Sequence, residues 1–345
     1  MDKLREGSLL AIGNPLLDIS AVADESLLSK YGLKPNDAIL AEEKHMPLYK
    51  ELIDKYKTEF IAGGSAQNTA RVAQWIFQTP NIASYFGCVG NDENAKILEK
   101  EARSEGVNVS YQVTDKEPTG TCAVLITGAN RSLVANLAAA NCCTIDHIKK
   151  PENKKIIDNA KVVYISGFFL TVCPEIIQTV AQQCMKEDKM FVMNLSAPFL
   201  CQFFKEPLMN AMPYVDVLFG NETEALTFAK EQNFGTEDLK EIVIRISQLP
   251  KKSNKRPRVV IISQGKDPVL FTEGNCQVQE FAVEAIDPKK MVDTNGAGDA
   301  FVGGFLAQLV QCRSYCICIK CGIYCAREVI QRSGCTFEGK PQFNC

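Results

Sequence analysis

The sequence predicts an α/β protein whose central, mostly parallel sheet is covered by helices on both faces. Three observations support this prediction. Short apolar runs alternate with amphipathic stretches of helical length, polar residues follow directly after several of these runs, and a glycine-rich turn precedes an apolar helical pattern near the C-terminal end. A continuous apolar run is typical of a strand buried on both faces, as in a parallel sheet.

The predicted strands and helices follow one another along the chain. The runs predicted to form strands are residues 9–12, 83–86, 162–165, 190–193, 215–219 and 259–262. The stretches predicted to form helices are residues 66–77, 175–186, 222–231 and 239–248. This order favours an open sheet built from strand–helix–strand units.

Two segments interrupt this alternation. Residues 18–63 contain few runs that resemble buried strands, and residues 119–138 have the pattern of a β-hairpin. The hairpin strands would be residues 121–127 and 131–137, joined by a Gly-Ala-Asn turn at 128–130. Excursions of this kind from an α/β body could pair into a small separate sheet.

The composition is that of an ordinary globular protein and argues against several classes. With 345 residues, 46% of them apolar and 23% charged, the chain can build one large domain plus a smaller one. The net charge of −3 argues against nucleic-acid binding, and the one basic run, residues 251–258, is interpreted as a solvated loop. No apolar stretch reaches the length of a membrane span and no signal-peptide pattern is present, so we expect a cytoplasmic protein, with a nuclear fraction also conceivable.

Fifteen cysteines raise the alternatives of disulfides or a metal site. Their odd number, the length of the chain and the lack of a secretory signal argue against a disulfide framework. Cys318, Cys321 and Cys325 fall at helical spacing, which favours small buried residues on one helix face over a zinc site. Since His45 and His147 are the only histidines, we expect catalysis to depend on carboxylates, backbone dipoles and Arg or Lys, with a bound cation as a further option.

Polar residues collect where the predicted strands end. Four sets follow four different strands: Asn14; Asn194 with Ser196; Asn221 with Glu224; and Gln264 with Gly265. Any one of them could be an ordinary turn residue. Because ligands bind at the carboxyl ends of strands in open α/β sheets, their shared position predicts one binding site along that edge.

A first glycine-rich element covers residues 61–68. Gly63 and Gly64 precede Ser65 and Asn68 at the predicted start of a helix. Paired glycines let the backbone approach a ligand closely, and Ser and Asn offer neutral hydrogen bonds to hydroxyl groups, as a sugar would need. A plain turn is the alternative for the glycine pair.

A second glycine-rich element is Asp293-Thr-Asn-Gly-Ala-Gly-Asp299. The backbone N–H groups of Gly296, Ala297 and Gly298 can point outward there, and the helix that follows adds the positive end of its dipole. Asp299 is an acid inside this predicted anion-binding turn. Its position is typical of a base that receives a proton from a hydroxyl attacking phosphorus.

Together these elements resemble the ribokinase-like (PfkB) family of carbohydrate and nucleoside kinases. Gly63-Gly64 with Asn68 is similar to the N-terminal signature of the family, the 293–299 run matches its C-terminal signature, and Asn221-Glu-Thr-Glu224 matches its Asn-x-x-Glu motif. The resemblance extends from about residue 8 to 338. Within the family, runs such as Ser166-Gly-Phe-Phe-Leu-Thr171 resemble the members that phosphorylate the 5′-hydroxyl of adenosine.

The resemblance implies a Rossmann-like ribokinase fold with two domains. The large α/β domain would comprise residues 1–17, 66–118 and 139–345, and the small β-rich lid residues 18–65 and 119–138. Adenosine would lie between them, with Asp18 binding the ribose hydroxyls and Phe169 stacking on adenine. The other residues implied on the nucleoside side are Asn14, Leu40, Gly63, Gly64, Ser65, Asn68, Leu133, Ala135 and Asn295.

The resemblance also implies the phosphate side of the site. Asp299, Arg131 and the amides of 296–298 would act on the transferring phosphoryl group. ATP would contact Asn194, Asn221, Ser263, Gln264 and Gly265, and Glu224 would bind Mg²⁺ through water. A monomer is expected. The alternatives are a kinase for another purine nucleoside or a sugar, and a catalytically inert nucleotide-binding protein of the same fold.

Overall fold

The computed structural model describes residues 4–35, 37–128 and 130–344. Its strands are β1 Leu9–Ile12, β2 Leu16–Val22, β3 Ala38–Leu40, β4 Thr58–Gly63, β5 Ala83–Gly90, β6 Asn108–Thr114, β7 Thr121–Thr127, β8 Asn130–Asn136, β9 Val162–Ile165, β10 Met190–Asn194, β11 Val217–Asn221, β12 Val259–Gln264, β13 Asp267–Glu273 and β14 Gln279–Phe281. Its α-helices are α1 Glu25–Tyr31, α2 Met46–Lys55, α3 Ser65–Phe77, α4 Glu93–Ser104, α5 Ile145–Lys149, α6 Pro151–Asn159, α7 Pro174–Lys186, α8 Pro198–Phe203, α9 Lys205–Ala211, α10 Glu222–Glu231, α11 Leu239–Ser247, α12 Ala297–Val310 and α13 Tyr315–Val329.

The larger sheet has the strand order β14-β13-β12-β11-β10-β9-β1-β5-β6. The strands from β12 to β6 pair in parallel, while β13 and β14 are antiparallel at one edge. Successive residues of β1 belong to two different cores: Leu10 and Ile12 to one, Leu9 and Ala11 to the other. The predicted mostly parallel sheet, covered by helices on both faces, is therefore confirmed.

The smaller sheet has the order β3-β8-β7-β2-β4. Helices α1 and α2 cover one of its faces, in a core that includes Ile19, Leu48 and Leu125. Strand β2 is buried along almost its whole length, although residues 18–63 show few buried-strand runs in the sequence. It begins at Leu16, two residues before the predicted lid boundary, whereas β3, β4, β7 and β8 lie within the predicted lid segments. The division into two domains stays a prediction.

Two sequence-based expectations need correction outside the site. Strand β11 begins at Val217, not at 215. Residues 251–258 are not simply a solvated loop, because the Arg258 side chain is buried and donates hydrogen bonds to backbone carbonyls. Lys251 forms an ion pair with Asp216 at 2.6 Å.

The cysteine-rich helix α13 follows the prediction of buried small residues. Cys318, Cys321 and Cys325 are buried on it, and their thiols are free. Within the described residues, no group of His, Cys, Asp and Glu side chains is arranged to hold a metal ion. No helix in the part of the chain described here is long and apolar enough to cross a bilayer.

Candidate active site

Two cavities meet at the carboxyl ends of the central parallel strands. The first, of about 230 Å³, lies between the small sheet and the larger sheet, and the second, of about 130 Å³, follows β10, β11 and β12. Five residues line both cavities: Ser65, Phe168, Ser196, Gly298 and Asp299. Asp299 therefore stands at the junction of two adjoining ligand spaces.

The Asp299 carboxylate is held by two side chains at the start of α3. The Ser65 hydroxyl donates to Oδ1 at 2.7 Å, and the Asn68 amide donates to Oδ2 at 3.0 Å. Enclosure by protein raises the pKa of Asp299 to about 6, while the hydrogen bonds from Asn68 and Ser65 oppose this rise. A carboxylate with this pKa is ionised at neutral pH and can still accept a proton.

The turn before α12 has the geometry expected for an anion-binding site. Gly296, at φ +76°, is the N-cap residue of α12, and a Cβ placed on it would lie 2.7 Å from Cys335 Cβ. Gly298 faces open space and lines both cavities. Asn295 lines the first cavity, and Ala297 lines neither. The turn therefore exposes backbone toward the junction without side-chain obstruction.

Asp18 lies on β2 and faces the first cavity from beside the glycine pair. Its carboxylate occupies the space that a side chain at Gly63 would need, since a Cβ there would lie 2.4 Å from Oδ1. Gly64, at φ +92°, passes so close to Asn14 that a Cβ would lie 2.3 Å from the Asn14 carbonyl oxygen. Burial, with Asp299 and Asp293 adding to it, raises the pKa of Asp18 to about 8, although Arg71 acts in the opposite direction.

Two buried amide oxygens face the first cavity without a partner. Asn14 Oδ1 and Asn68 Oδ1 have no hydrogen-bond donor among the described residues. The other amide atom of each is engaged: Asn14 Nδ2 donates to the Phe168 carbonyl at 3.4 Å, and Asn68 Nδ2 donates to Asp299. A buried acceptor without a donor is unfavourable, so these atoms indicate a ligand with donor groups.

The apolar wall of the first cavity comes from β3 and β8. Leu40 and Ala135 are paired in the parallel register of these strands, and both line the cavity together with Leu133. The predicted stacking residue needs correction. Phe169 is fully buried in the core beneath the sheet edge, and Phe168 lines the cavities in its place. In the 3₁₀ turn Gly167–Thr171, Phe169 is thus buried while its neighbour Phe168 borders both cavities.

Arg131 does not line either cavity. Its Nε donates to Asp293 Oδ1 at 2.7 Å and its Nη2 to the Val292 carbonyl at 2.5 Å. Asp293 is the first residue of the glycine-rich run, and it also accepts the N–H of Asn295 at 2.8 Å. Arg131 therefore joins the hairpin to the turn that precedes α12 and does not line the junction of the two cavities.

The second cavity receives part of the predicted nucleotide set. Asn194, Asn221, Ser263 and Glu224 line it. Gln264 and Gly265 lie outside it: Gln264 Nε2 donates to the Pro268 carbonyl, and Gly265 is exposed in the turn between β12 and β13. The structure thus brings together the residues at the ends of the parallel strands and leaves out those of the β12–β13 turn.

Glu224 closes the N-terminus of α10 in a capping box with Asn221. The Glu224 N–H donates to Asn221 Oδ1 at 2.8 Å, and Glu224 Oε2 accepts the Asn221 N–H at 3.0 Å. Burial raises the pKa of Glu224 to about 7. No described residue forms an ion pair with it. A buried carboxylate with only neutral donors fits a hard cation such as Mg²⁺, which prefers oxygen ligands.

Several residues that line the cavities were not among the predicted site residues. They are Leu16, Ala38, Ile39, Ala66, Cys122, Leu137, Ser166, Phe168, Thr171, Ser196 and Phe199 in the first cavity, and Phe219, Gly220, Ile261, Phe301 and Val302 in the second. The position of Ser196 could have been predicted from the sequence, because it comes two residues after Asn194, the last residue of β10. It adopts φ +64°, unusual for a serine, and its hydroxyl donates to Asn194 Oδ1 at 2.5 Å. The apolar lining residues could not have been predicted in this way, since in the sequence they resemble core residues.

Comparison with known proteins agrees with this arrangement. Residues 25–342 match the pfkB family of carbohydrate kinases. Adenosine kinase 2 of Arabidopsis thaliana is 52% identical over 98% of both chains. The structure of Anopheles gambiae adenosine kinase in complex with P1,P4-di(adenosine-5) tetraphosphate superposes with a TM-score of 0.97 at 61% identity, over 99% of this chain and 100% of that one.

A more distant structure has the same architecture. Adenosine kinase from Schistosoma mansoni in complex with adenosine superposes with a TM-score of 0.93 at 36% identity, over 98% of both chains. Family match, sequence identity and fold agree over nearly the whole chain. The chain therefore belongs to the pfkB family of carbohydrate kinases, and the relatives compared above are adenosine kinases.

Proposed function

We propose that this chain transfers the γ-phosphoryl group of ATP to the 5′-hydroxyl of adenosine, giving AMP and ADP. The observation that carries the proposal is the position of Asp299, which faces both cavities while Ser65 and Asn68 hold its carboxylate. The similarity to adenosine kinases over nearly the whole chain supports the same activity. The Anopheles gambiae complex holds a ligand in which a phosphate chain joins two adenosines. Two adjoining cavities match a ligand of this kind, with one adenosine in each.

Adenosine occupies the first cavity in this proposal. Its ribose 2′- and 3′-hydroxyls lie among Asp18 and the unpartnered oxygens of Asn14 and Asn68, and their two protons supply donors to this group of buried acceptors. Adenine lies against Phe168 and the apolar wall formed by Leu40 and Leu133. The 5′-hydroxyl then points toward Asp299 at the junction of the cavities.

ATP occupies the second cavity, with its γ-phosphate toward the turn at Gly296–Gly298. The 5′-oxygen of adenosine forms a bond to the γ-phosphorus, the bond from that phosphorus to the bridging oxygen of ADP breaks, and the hydroxyl proton passes to Asp299. Backbone N–H groups of the turn and the dipole of α12 stabilise the negative charge of the transferring group. Positioning and charge stabilisation dominate such a reaction.

Glu224 and Asn221 would hold Mg²⁺ together with phosphate oxygens of ATP, because they offer oxygen ligands next to the second cavity. The ion, when bound, neutralises part of the charge of the phosphates. Arg131 approaches the phosphates in this proposal only if it exchanges its contact with Asp293 for them. The monomeric state and the cytoplasmic location stay predictions.

A coupled assay of ADP release across a panel of nucleosides and sugars tests the proposal. We expect ADP release that depends on adenosine, with a ribose or fructose acceptor giving little. The apolar wall and Phe168 favour a base over a bare sugar. ADP release with a sugar but not with adenosine would assign a sugar kinase, and no release with any acceptor would assign an inert nucleotide-binding protein.

A further inference from the structure

Arg71 on α3 is a buried arginine that lines neither cavity. It is only 1% exposed, and its Nε and Nη2 donate to the two carboxylate oxygens of Glu105 at 2.6 and 2.7 Å. Its guanidinium also lies 5.8 Å from the centre of the Phe337 ring. The bidentate pair with Glu105 and the contact with Phe337 thus fix the orientation of the planar guanidinium group.

The remaining donor of Arg71 reaches the backbone on the nucleoside side of the site. Nη1 donates to the Ala62 carbonyl at 3.1 Å. Ala62 directly precedes Gly63, against which the Asp18 carboxylate packs so closely that any side chain at Gly63 would overlap it. Arg71 therefore fixes the strand end that sets the position of Asp18.

The same donor reaches the backbone behind the phosphate side. Nη1 contacts the Cys335 carbonyl at 3.4 Å. Cys335 packs directly behind Gly296, with its Cβ 2.7 Å from the position of a Cβ on that glycine. The N–H of the preceding residue, Gly334, donates to Asp293 Oδ2 at 2.9 Å. Arg71 therefore also supports the wall against which the anion-binding turn is formed.

We propose that Arg71 is a positioning residue for phosphoryl transfer: its guanidinium holds the backbone behind Asp18 and the backbone behind Gly296 in one fixed relation. The residues on the nucleoside side and those of the anion-binding turn come from parts of the chain more than two hundred residues apart. Both sets must face one 5′-hydroxyl. A single rigid group that contacts both backbones keeps them aligned. The inference rests on the proposed function, because alignment matters only if both sides act on one reaction.

The charge of Arg71 gives the proposal a second readout. The titratable and charged groups that act on Asp18 or are acted on by it are Asp299, Asp293, Arg71, Cys122 and Cys335. Burial, Asp299 and Asp293 raise the pKa of Asp18, and Arg71 lowers it. Loss of the guanidinium charge would raise the pKa of Asp18 further. Asp18 would then ionise, and adenosine would bind tightly, only at a higher pH.

Arg258 provides a matched control. It is also only 1% exposed, and its guanidinium donates to the carbonyls of Met212, Val215, Ile246, Leu249 and Pro250. It lines neither cavity. Its substitution removes a buried arginine with backbone contacts at a place that does not border the site.

The experiment compares Arg71→Met, Arg71→Lys and Arg258→Met by melting temperature and by kcat and KM for adenosine and ATP, at temperatures well below the lowest melting point. We expect Arg258→Met to lose stability with kcat/KM unchanged within about threefold. Arg71→Met should lose about 10²-fold in kcat/KM for adenosine, as misplacement of reacting groups by about 1 Å does. As the pH is raised, the KM of this variant for adenosine should also fall at a higher pH than the KM of the wild type does.

Arg71→Lys keeps the charge but cannot contact Glu105 and both carbonyls at once, so it should lose kcat/KM by about tenfold without the pH shift. It decides the question if Arg71→Met does not fold. Wild-type kcat and KM in an Arg71 variant whose melting temperature falls as in Arg258→Met would overturn the positioning role. A wild-type chain that fails to phosphorylate adenosine would refute the proposed function itself and the role of Arg71 with it.

Discussion

Arg131 and Asp293 form a buried ion pair, with Nε of the arginine 2.7 Å from Oδ1 of the aspartate. The pair joins β8 of the hairpin to the loop before α12. Asp293 also accepts the backbone N–H groups of Asn295 and Gly334, so one carboxylate connects the hairpin, the anion-binding turn and the C-terminal segment. The wall of the nucleoside cavity and the phosphate turn are therefore fixed to each other.

Breaking this pair should destabilise the protein through the charge left behind. We expect Arg131→Met or Asp293→Asn each to lower the free energy of unfolding by about 3–5 kcal/mol, because an uncompensated buried charge remains. The double variant should lose clearly less than the sum. Urea unfolding measures all three, and strictly additive losses would contradict a direct pairing.

The Lys251–Asp216 pair is a control for activity, since it is buried to a similar degree and lies away from both cavities. Lys251→Met should lower stability and leave kcat unchanged. Arg131→Met should lower kcat as well, because it loosens the hairpin against the turn.

Phe168 and Phe169 should respond oppositely to truncation. Phe168 lines the cavities, so Phe168→Ala should raise KM for adenosine far more than KM for ATP, with little loss of stability. Phe169 is fully buried, so Phe169→Ala should cost about 3–5 kcal/mol of folding free energy. Steady-state kinetics and thermal unfolding of both variants check this, and a selective effect on adenosine KM in Phe169→Ala would reverse the assignment.

The acid limb of kcat should report the pKa of Asp299 when adenosine is saturating, so that protonation of Asp18 does not limit binding. Under that condition kcat should fall as the pH drops through about 6, because the base becomes protonated. The hydrogen bond from Ser65 stabilises the carboxylate, so Ser65→Ala should move this limb to higher pH by about one unit. Thr69→Val is the control, since Thr69 donates to the backbone carbonyl of Asp299 and not to its carboxylate. A limb that stays in place in Ser65→Ala would argue that another group titrates.

Asp18 should make the ligand-free protein less stable as the pH rises. Its pKa is about 8 in the folded protein, against an ordinary value of 3.8, so between these values the folded state holds a proton that the unfolded chain has released. Stability is therefore lost as the pH rises through this window. The Asp18→Asn variant lacks this pH-dependent loss of stability. The difference between its melting temperature and that of the wild type should therefore shift in favour of the variant from pH 5 to pH 8.

Asp92 provides the matched comparison for Asp18. It caps α4, and its pKa is lowered, despite partial burial, by hydrogen bonds from Thr119 and Ala95. Its contribution is present above the unfolded pKa and is lost only as the pH falls below about 4. The difference in melting temperature between Asp92→Asn and the wild type should therefore be constant from pH 5 to pH 8. A parallel course for the two variants would contradict the assignment to Asp18.

The central sheet could be predicted from sequence because its strands are buried on both faces. Strands β1 and β9 coincide with the predicted runs, and α10 has the predicted limits. Strand β2 was not predicted because Asp18 and Ser20 are among its buried residues, so its sequence is not a continuous apolar run. Its burial depends on packing against α1, α2 and α4, which periodicity does not show.

The positions of single side chains in the site were harder to predict. Phe168 and Phe169 are chemically identical neighbours, and only the direction of the 3₁₀ turn decides which faces the cavity. The ion pair of Arg131 joins residues 162 positions apart, which no local pattern indicates. Asp299, Ser65 and Gly64 were predictable because their glycine-rich turns have a local geometric requirement.

The most direct test of the account is the turnover of Asp299→Asn with adenosine and ATP, measured beside the dissociation constant for adenosine. Asparagine keeps the shape of the side chain and cannot accept the proton. We predict that kcat falls by about 10²–10⁴, the usual range for loss of a general base, while adenosine binds within a few-fold of wild type. A kcat within a few-fold of wild type would contradict the assignment of Asp299 as the base.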